Sequence, residues 1–221
     1  MNPTASGQPL PANLSNTTLA ILAGGRGSRM GMPKAHLELR GEPILAWMLK
    51  HLRWPGPTML VTAPAVADPP GAQLFDLRVT DPVDDLGPMR GIASALENTS
   101  TEVIAVVTVD MPGITRDVLE WLLKSLAARP QLHGLMCSRL IEQREMIEPF
   151  PAVFRSSAKE IVLARLQAGE LSVQRLCRQP NFASLASPAE WPASTWMNLN
   201  HPGELAAFEA ANQNSGARDE T

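Results

Sequence analysis

The chain has 221 residues, 44% of them apolar and 19% charged, with a formal net charge of −3 at pH 7. That is enough apolar surface for one α/β core, and it leaves no general basic footprint of the kind that nucleic acid attracts. Cys137 and Cys177 stand in no C-x-x-C or Cys/His spacing, so neither a zinc site nor a disulfide framework is indicated; no apolar run approaches the roughly 20 residues of a membrane helix and no signal-peptide layout is present, so the expectation is a cytoplasmic protein with neither nucleic acid nor membrane as partner.

Residues 1–18 are rich in Pro, Ser, Thr, Asn and Gly and are expected to form a flexible tail, because such a composition cannot bury enough surface to offset ordering the chain. The apolar run Leu19–Leu22 then reads as a strand, and it leads straight into A-G-G-R-G-S-R-M-G-M-P-K, residues 23–34. Gly24, Gly25 and Gly27 would let the backbone approach a polyphosphate with successive N–H groups, while Arg26, Arg29 and Lys34 add charge that a structural turn does not need. A Walker A loop fails here, since Gly31 is followed by Met32, Pro33 and Lys34 rather than by Lys and Ser or Thr. The dinucleotide fingerprint fails at its third glycine, where Met30 stands.

Further along, the pattern predicts a helix over Ile44–Leu52, strands over Thr58–Thr62 and Leu77–Thr80, a helix over Gly91–Asn98, a strand over Val103–Val109 and a helix over Thr115–Ala128. This alternation argues for an α/β fold, a mostly parallel sheet with helices on both faces, and ligands at the carboxyl ends of the strands after Leu22, Thr80 and Val109. Asp81, Asp84 and Asp85 follow the second of these places, where a solvated turn and a ligand site both fit. Asp110 follows the third, where it either holds a hard cation beside substrate phosphates or opens a turn. From Gly134 onward the prolines 149, 151, 180, 188 and 192 break the periodicity, so this half is expected to extend the same sheet irregularly around a helix at Lys159–Leu166. One domain over 19–211 and a second flexible tail over 212–221 complete the layout.

The run L-A-G-G-R-G-S-R-M-G followed by Lys34 resembles the signature of nucleotidyltransferases with a Rossmann-like fold, most closely the molybdenum cofactor guanylyltransferases and their molybdopterin cytidylyltransferase relatives. Val109-Asp110-Met111-Pro112 is similar to that family's C-D-x-P, Asp81 with Gly87-Pro88-Met89-Arg90-Gly91 to its D-x(n)-G-P-L-x-G, and Asn198-Leu199-Asn200-His201-Pro202 to its N-x-N-T-P. The resemblance implies transfer of GMP from GTP to the phosphate of molybdopterin or molybdenum cofactor, with release of pyrophosphate. It implies Arg29, Lys34 and Asp110 as catalytic residues. It also implies nucleotide contacts at Leu22, Ala23, Gly24, Gly25, Gly27, Lys34, Thr62, Asp81, Gly87 and Asp110, an acceptor site at Asn198 and Asn200, and Mg²⁺ on Asp110. Apo-molybdoenzymes or their chaperones would be the downstream partners. The M-P-K sequence and Thr62, where guanine enzymes carry Asn, keep cytidylyl transfer open as an alternative. A sugar-phosphate acceptor and a non-catalytic delivery role are two more.

Overall fold

The computed structural model describes residues 13–25, 31–64, 68–83 and 86–213. Arg26, Gly27, Arg29, Asp84 and Asp85 lie outside the described residues. Seven strands form one sheet in the order β5-β4-β1-β6-β8-β7-β9: β1 Thr17–Leu22, β4 Thr58–Thr62, β5 Leu77–Thr80, β6 Val103–Thr108, β7 Gly134–Ile141, β8 Arg144–Arg155 and β9 Phe182–Ala186. A two-residue ladder, β2 Glu38–Leu39 with β3 Glu42–Pro43, stands apart. The helices are α1 Ile44–Leu52, α2 Gly87–Asn98, α3 Arg116–Ala127, α4 Lys159–Gln167 and α5 Pro202–Gln213.

Strands β5, β4, β1 and β6 are parallel, and β8 runs against both of its neighbours. Every residue of β1 and β4 is buried, which happens only when both faces of a sheet are covered. The first strand starts at Thr17, two residues before the apolar run, because Thr18 sinks its hydroxyl into a cluster with Thr99 and Thr101 at 2.9 and 2.8 Å. Apolarity alone therefore understates the strand.

Helix α2 begins at Gly87, four residues earlier than the pattern predicts. Pro88 sits at its first turn, where a missing N–H costs nothing, and Gly87 adopts φ +62°. At Gly91 the helix lies so close to β1 that a β-carbon would come within 3.1 Å of the Leu22 side chain.

The expectation of an irregular second half is corrected by the β7–β8 hairpin. Its turn is Glu142–Gln143, both at positive φ (48° and 64°), the geometry of a two-residue hairpin loop without the usual Asn or Gly. Pairing runs from Ile141↔Arg144 to Cys137↔Glu148, then skips to Met136↔Ala152. Pro149, Phe150 and Pro151 thus bulge out of β8 between two paired stretches, which is how a strand accommodates residues that cannot donate to the ladder. The bulge begins where β6 stops pairing with β8, at Val106↔Ala152.

Candidate active site

Loops leaving the carboxyl ends of four parallel strands meet the β8 bulge around one cleft of about 530 Å³. Gly24 and Gly25 reach it from β1, Ala63 from β4, Asp81 and Val83 from β5, and Val109, Asp110 and Met111 from β6. The start of α2 adds Gly87 and Arg90, and β8 adds Glu148 to Phe150. Gly24 is tightly packed, because a β-carbon there would stand 3.2 Å from the Ala63 nitrogen and the neighbour would have to give. At Gly25 no atom of the described residues lies within 4 Å of such a carbon, so the backbone there faces open space at the cleft.

Lys34 ties three distant segments together. It opens a single 3-10 turn, Lys34–His36, behind Pro33, and its Nζ donates to Asp110 Oδ2 at 2.6 Å and to Asn200 Oδ1 at 2.7 Å. The Leu199 N–H donates to the Asp110 carbonyl at 2.7 Å, so the C-terminal segment grips both the backbone of Asp110 and its ion-pair partner. Glu204, in the first turn of α5, reaches back to accept the N–H groups of Asn200 (2.5 Å) and His201 (2.8 Å) in the manner of a capping box. The Asn200 N–H, the His201 N–H and the nearby charges of His201 and Lys34 hold the Glu204 carboxyl below its usual range.

Asp81 sits where the second motif places it, its N–H donating to the Thr62 carbonyl at 2.8 Å. Its Oδ1 is buried with no partner among the described residues, and burial pushes the carboxyl up against the pull of the Ser94 hydroxyl and Arg90. A buried orphan oxygen in a cleft wall calls for a ligand donor. Arg90 is anchored by the Ser94 hydroxyl and the Glu97 carboxylate one to two turns along α2.

Of the residues singled out in the sequence, Leu22, Gly24, Gly25, Lys34, Asp81, Gly87, Asp110 and Asn198 line the cleft. Ala23 and Thr62 do not. Thr62 is buried on β4 while Val61 and Ala63 on either side of it line the wall, as the two-residue period of a strand dictates. The two amides, expected to face one ligand together, divide: Asn198 lines the cleft and Asn200 holds Lys34. Arg90 and Glu148 are additions. Arg90 lies inside the G-P-M-R-G motif without being singled out by it, and Glu148 directly precedes Pro149 in a stretch whose sequence shows no site pattern.

Asp110 suits a divalent cation. Among the described residues no group of three or more His, Cys, Asp or Glu gathers as a metal cage, so a cation there would depend on one carboxylate and on substrate oxygens, the coordination Mg²⁺ favours. The thiols are unsuited to chemistry: burial pushes Cys137 up to about 12 and Cys177 up to about 11.

A family model described as the MobA-like NTP transferase domain matches residues 19–184. The chain belongs to the MobA-like NTP transferase family. Among its relatives, a molybdenum cofactor guanylyltransferase from Ectopseudomonas mendocina is 31% identical over 86% of this chain and 90% of its own length. A probable molybdenum cofactor guanylyltransferase from Opitutus terrae is also 31% identical, over 85% of this chain and 93% of its own. The fold is shared with molybdopterin-guanine dinucleotide biosynthesis protein A from Archaeoglobus fulgidus (TM-score 0.71, 21% identity, 90% of this chain and 100% of that one). It is shared too with 2-C-methyl-D-erythritol 4-phosphate cytidylyltransferase from Thermus thermophilus (TM-score 0.65, 18% identity, 88% and 98%). The Lys34–Asp110 pair lies on the cleft, within the stretch that the family model matches. Among the described residues no helix is long and apolar enough to cross a membrane.

Proposed function

We propose that this protein transfers GMP from GTP to the terminal phosphate of molybdopterin, or of its molybdenum-loaded form, and releases pyrophosphate. The observation that carries the reading is the Lys34–Asp110–Asn200 constellation on the cleft of the Gly24–Gly25 loop, in a chain 31% identical over most of its length to the Ectopseudomonas and Opitutus proteins that bear the guanylyltransferase name.

The acceptor phosphate is already an anionic nucleophile, so no residue has to remove a proton. An acceptor oxygen forms the bond to the α-phosphorus, the bond to the bridging oxygen breaks, and pyrophosphate leaves with that electron pair. The protein's share is alignment and charge neutralisation. Gly24 and Gly25 admit the phosphates, and Lys34, steadied by Asp110 and Asn200, meets their charge. Asp81 Oδ1 is open to a donor of the nucleoside. Asp110 would hold Mg²⁺, which when bound neutralises charge on the phosphates.

The test is pyrophosphate release by the purified protein with Mg²⁺ and molybdopterin, run in parallel with GTP, CTP, ATP and UTP. Turnover with GTP alone supports the proposal. Turnover with CTP alone moves the protein to cytidylyl transfer, the reading favoured by Met32-Pro33-Lys34. Silence with all four overturns the acceptor.

A further inference from the structure

The cleft has two unlike arms on either side of Lys34 and Asp110. Toward β5 it is built from the Gly24–Gly25 backbone and the N-terminal turn of the twelve-residue helix α2, groups suited to a polyphosphate and its nucleoside. Toward β8 it offers no phosphate cradle. There it presents the Glu148 carboxylate, the Asn198 amide and the apolar faces of Pro149 and Phe150. With strands about 4.8 Å apart, β8 lies one strand beyond β6 and some 19 Å across the sheet from β5, room for two substrates meeting at Asp110.

A carboxylate in a cleft whose substrates are both polyanions is electrostatically unfavourable unless a cation offsets it and its remaining oxygen meets the part of a substrate that carries N–H donors. Glu148 is fixed for that purpose. Arg139 spends both its Nε (2.7 Å) and its Nη2 (2.5 Å) on one oxygen, Oε1, and its guanidinium lies 4.8 Å from the centre of the Trp196 ring. Trp196 in turn accepts from the Asn198 amide at 3.4 Å, so the wall is one connected unit. Oε2 has no partner among the described residues, and its two lone-pair sites remain.

Resting on the proposed reaction, we infer that Glu148 is the residue that selects the acceptor: its free Oε2 takes the N3–H and 2-amino hydrogens of a 2-amino-4-oxopyrimidine ring such as that of a pterin, with Phe150 and Asn198 beside the ring. Arg139 is a positioning residue that orients the carboxylate and lowers its repulsion toward the phosphates. The two arms therefore read different chemistry: backbone N–H groups and Lys34 take phosphate, and Glu148 takes ring donors.

The probes are pterin and lumazine, two fluorescent pteridines that differ in having an amino or an oxo group at C2, titrated against the full chain. The wild type is expected to bind pterin about tenfold more tightly, since lumazine turns an acceptor toward the carboxylate. E148Q is expected to erase that preference and to raise the KM for molybdopterin about tenfold while the KM for GTP stays within twofold. Equal affinity of the wild type for the two probes overturns the assignment without any variant. So does an E148Q protein that keeps the preference, or one whose KM for GTP rises as much as that for the acceptor. A wild type that consumes no GTP with molybdopterin yet prefers pterin through Glu148 overturns the proposed reaction and supports the subsite.

Discussion

The β5-β4-β1-β6 half of the sheet and the β8-β7-β9 half contribute to the same cleft by different means. In the parallel half each strand stops at the cleft and hands over to a loop, so what arrives is backbone from β1 and β4, at Gly24, Gly25 and Ala63, and one acid each from β5 and β6, Asp81 and Asp110. In the other half a strand runs past the cleft and bulges into it, so what arrives is a set of side chains: Glu148, Pro149, Phe150. Loop ends suit a charge that is the same in every nucleotide. A bulge suits the one substrate that has to be told apart. The C-terminal segment 198–204 joins the two, touching Lys34 and Asp110 with one edge and, through Asn198 and Trp196, the Arg139–Glu148 wall with the other.

The sharpest way to separate the halves is Lys34→Ala. Removing the cation that meets developing phosphate charge should lower kcat/KM by about 10²–10³-fold. Stability should change little, because the Lys34 and Asp110 side chains keep 15% and 22% of their surface in water and the freed carboxylate can be hydrated. Steady-state kinetics beside thermal melting decide it, and a fall in melting temperature matching the loss of activity would make Lys34 a structural residue.

Gly113→Ala probes the joint itself. A β-carbon at Gly113 would overlap the Ser194 carbonyl and approach Phe208 of α5 at 3.3 Å, so the Ala193–Trp196 turn has to move. The expected destabilisation is about 1–3 kcal/mol in urea unfolding. Because Asn198 and Asn200 follow that turn, the KM for the acceptor should rise as well. Lost stability with unchanged KM would show the joint to be passive.

Glu204→Gln is a gentler cut at the same place, because an amide oxygen still accepts the two N–H groups that Oε2 takes, without the charge. Its mark is pH dependence. The folded carboxyl titrates below the usual glutamate range, so the stability it contributes is complete above that range and is lost as pH falls through the lower, folded value. Wild type and E204Q should differ in melting temperature at neutral pH and converge in acid once the pH has fallen through the folded carboxyl's range. A difference that persists unchanged into acid would show that the charge on Glu204 contributes nothing.

The parallel half was readable in the chain for the same reason that it suits phosphate. Thr58–Thr62 and Leu77–Thr80 are strands at the predicted bounds, helix α1 likewise, and the acids and glycines follow them at once. Continuous apolar strands ending in Gly or Asp leave a local signal. The β7–β8 hairpin left none: its turn is Glu142–Gln143 rather than Asn-Gly, its tip exposes Leu140, Ile141 and Met146 among charged residues so that no apolar face alternates with a polar one, and its prolines sit in a bulge that looks in sequence like the end of a strand. Lys34, Asp110, Asp81 and Asn198 could be picked out as motif positions. The turning of Asn200 onto Lys34, and the choice of Val61 and Ala63 over Thr62 for the wall, depend on how separate elements pack, which no local pattern records.

The smallest expected effect lies at the hairpin tip and marks where the second half stops mattering. Leu135 on β7 is fully buried, whereas Leu140, five residues on, leaves 75% of its surface in water and pairs across the ladder with Glu145. Beyond Ser138 the strand has lost its β9 neighbour, so Leu140 packs against no third strand. Leu140→Ser should therefore change folding stability by less than about 0.5 kcal/mol and leave both KM values unaltered. A loss of more than about 1 kcal/mol that deepens as the protein is concentrated would mean that the tip is covered in solution by another copy of the chain, since mass action ties such stability to concentration. The hairpin would then serve assembly at its far end and substrate choice at its root.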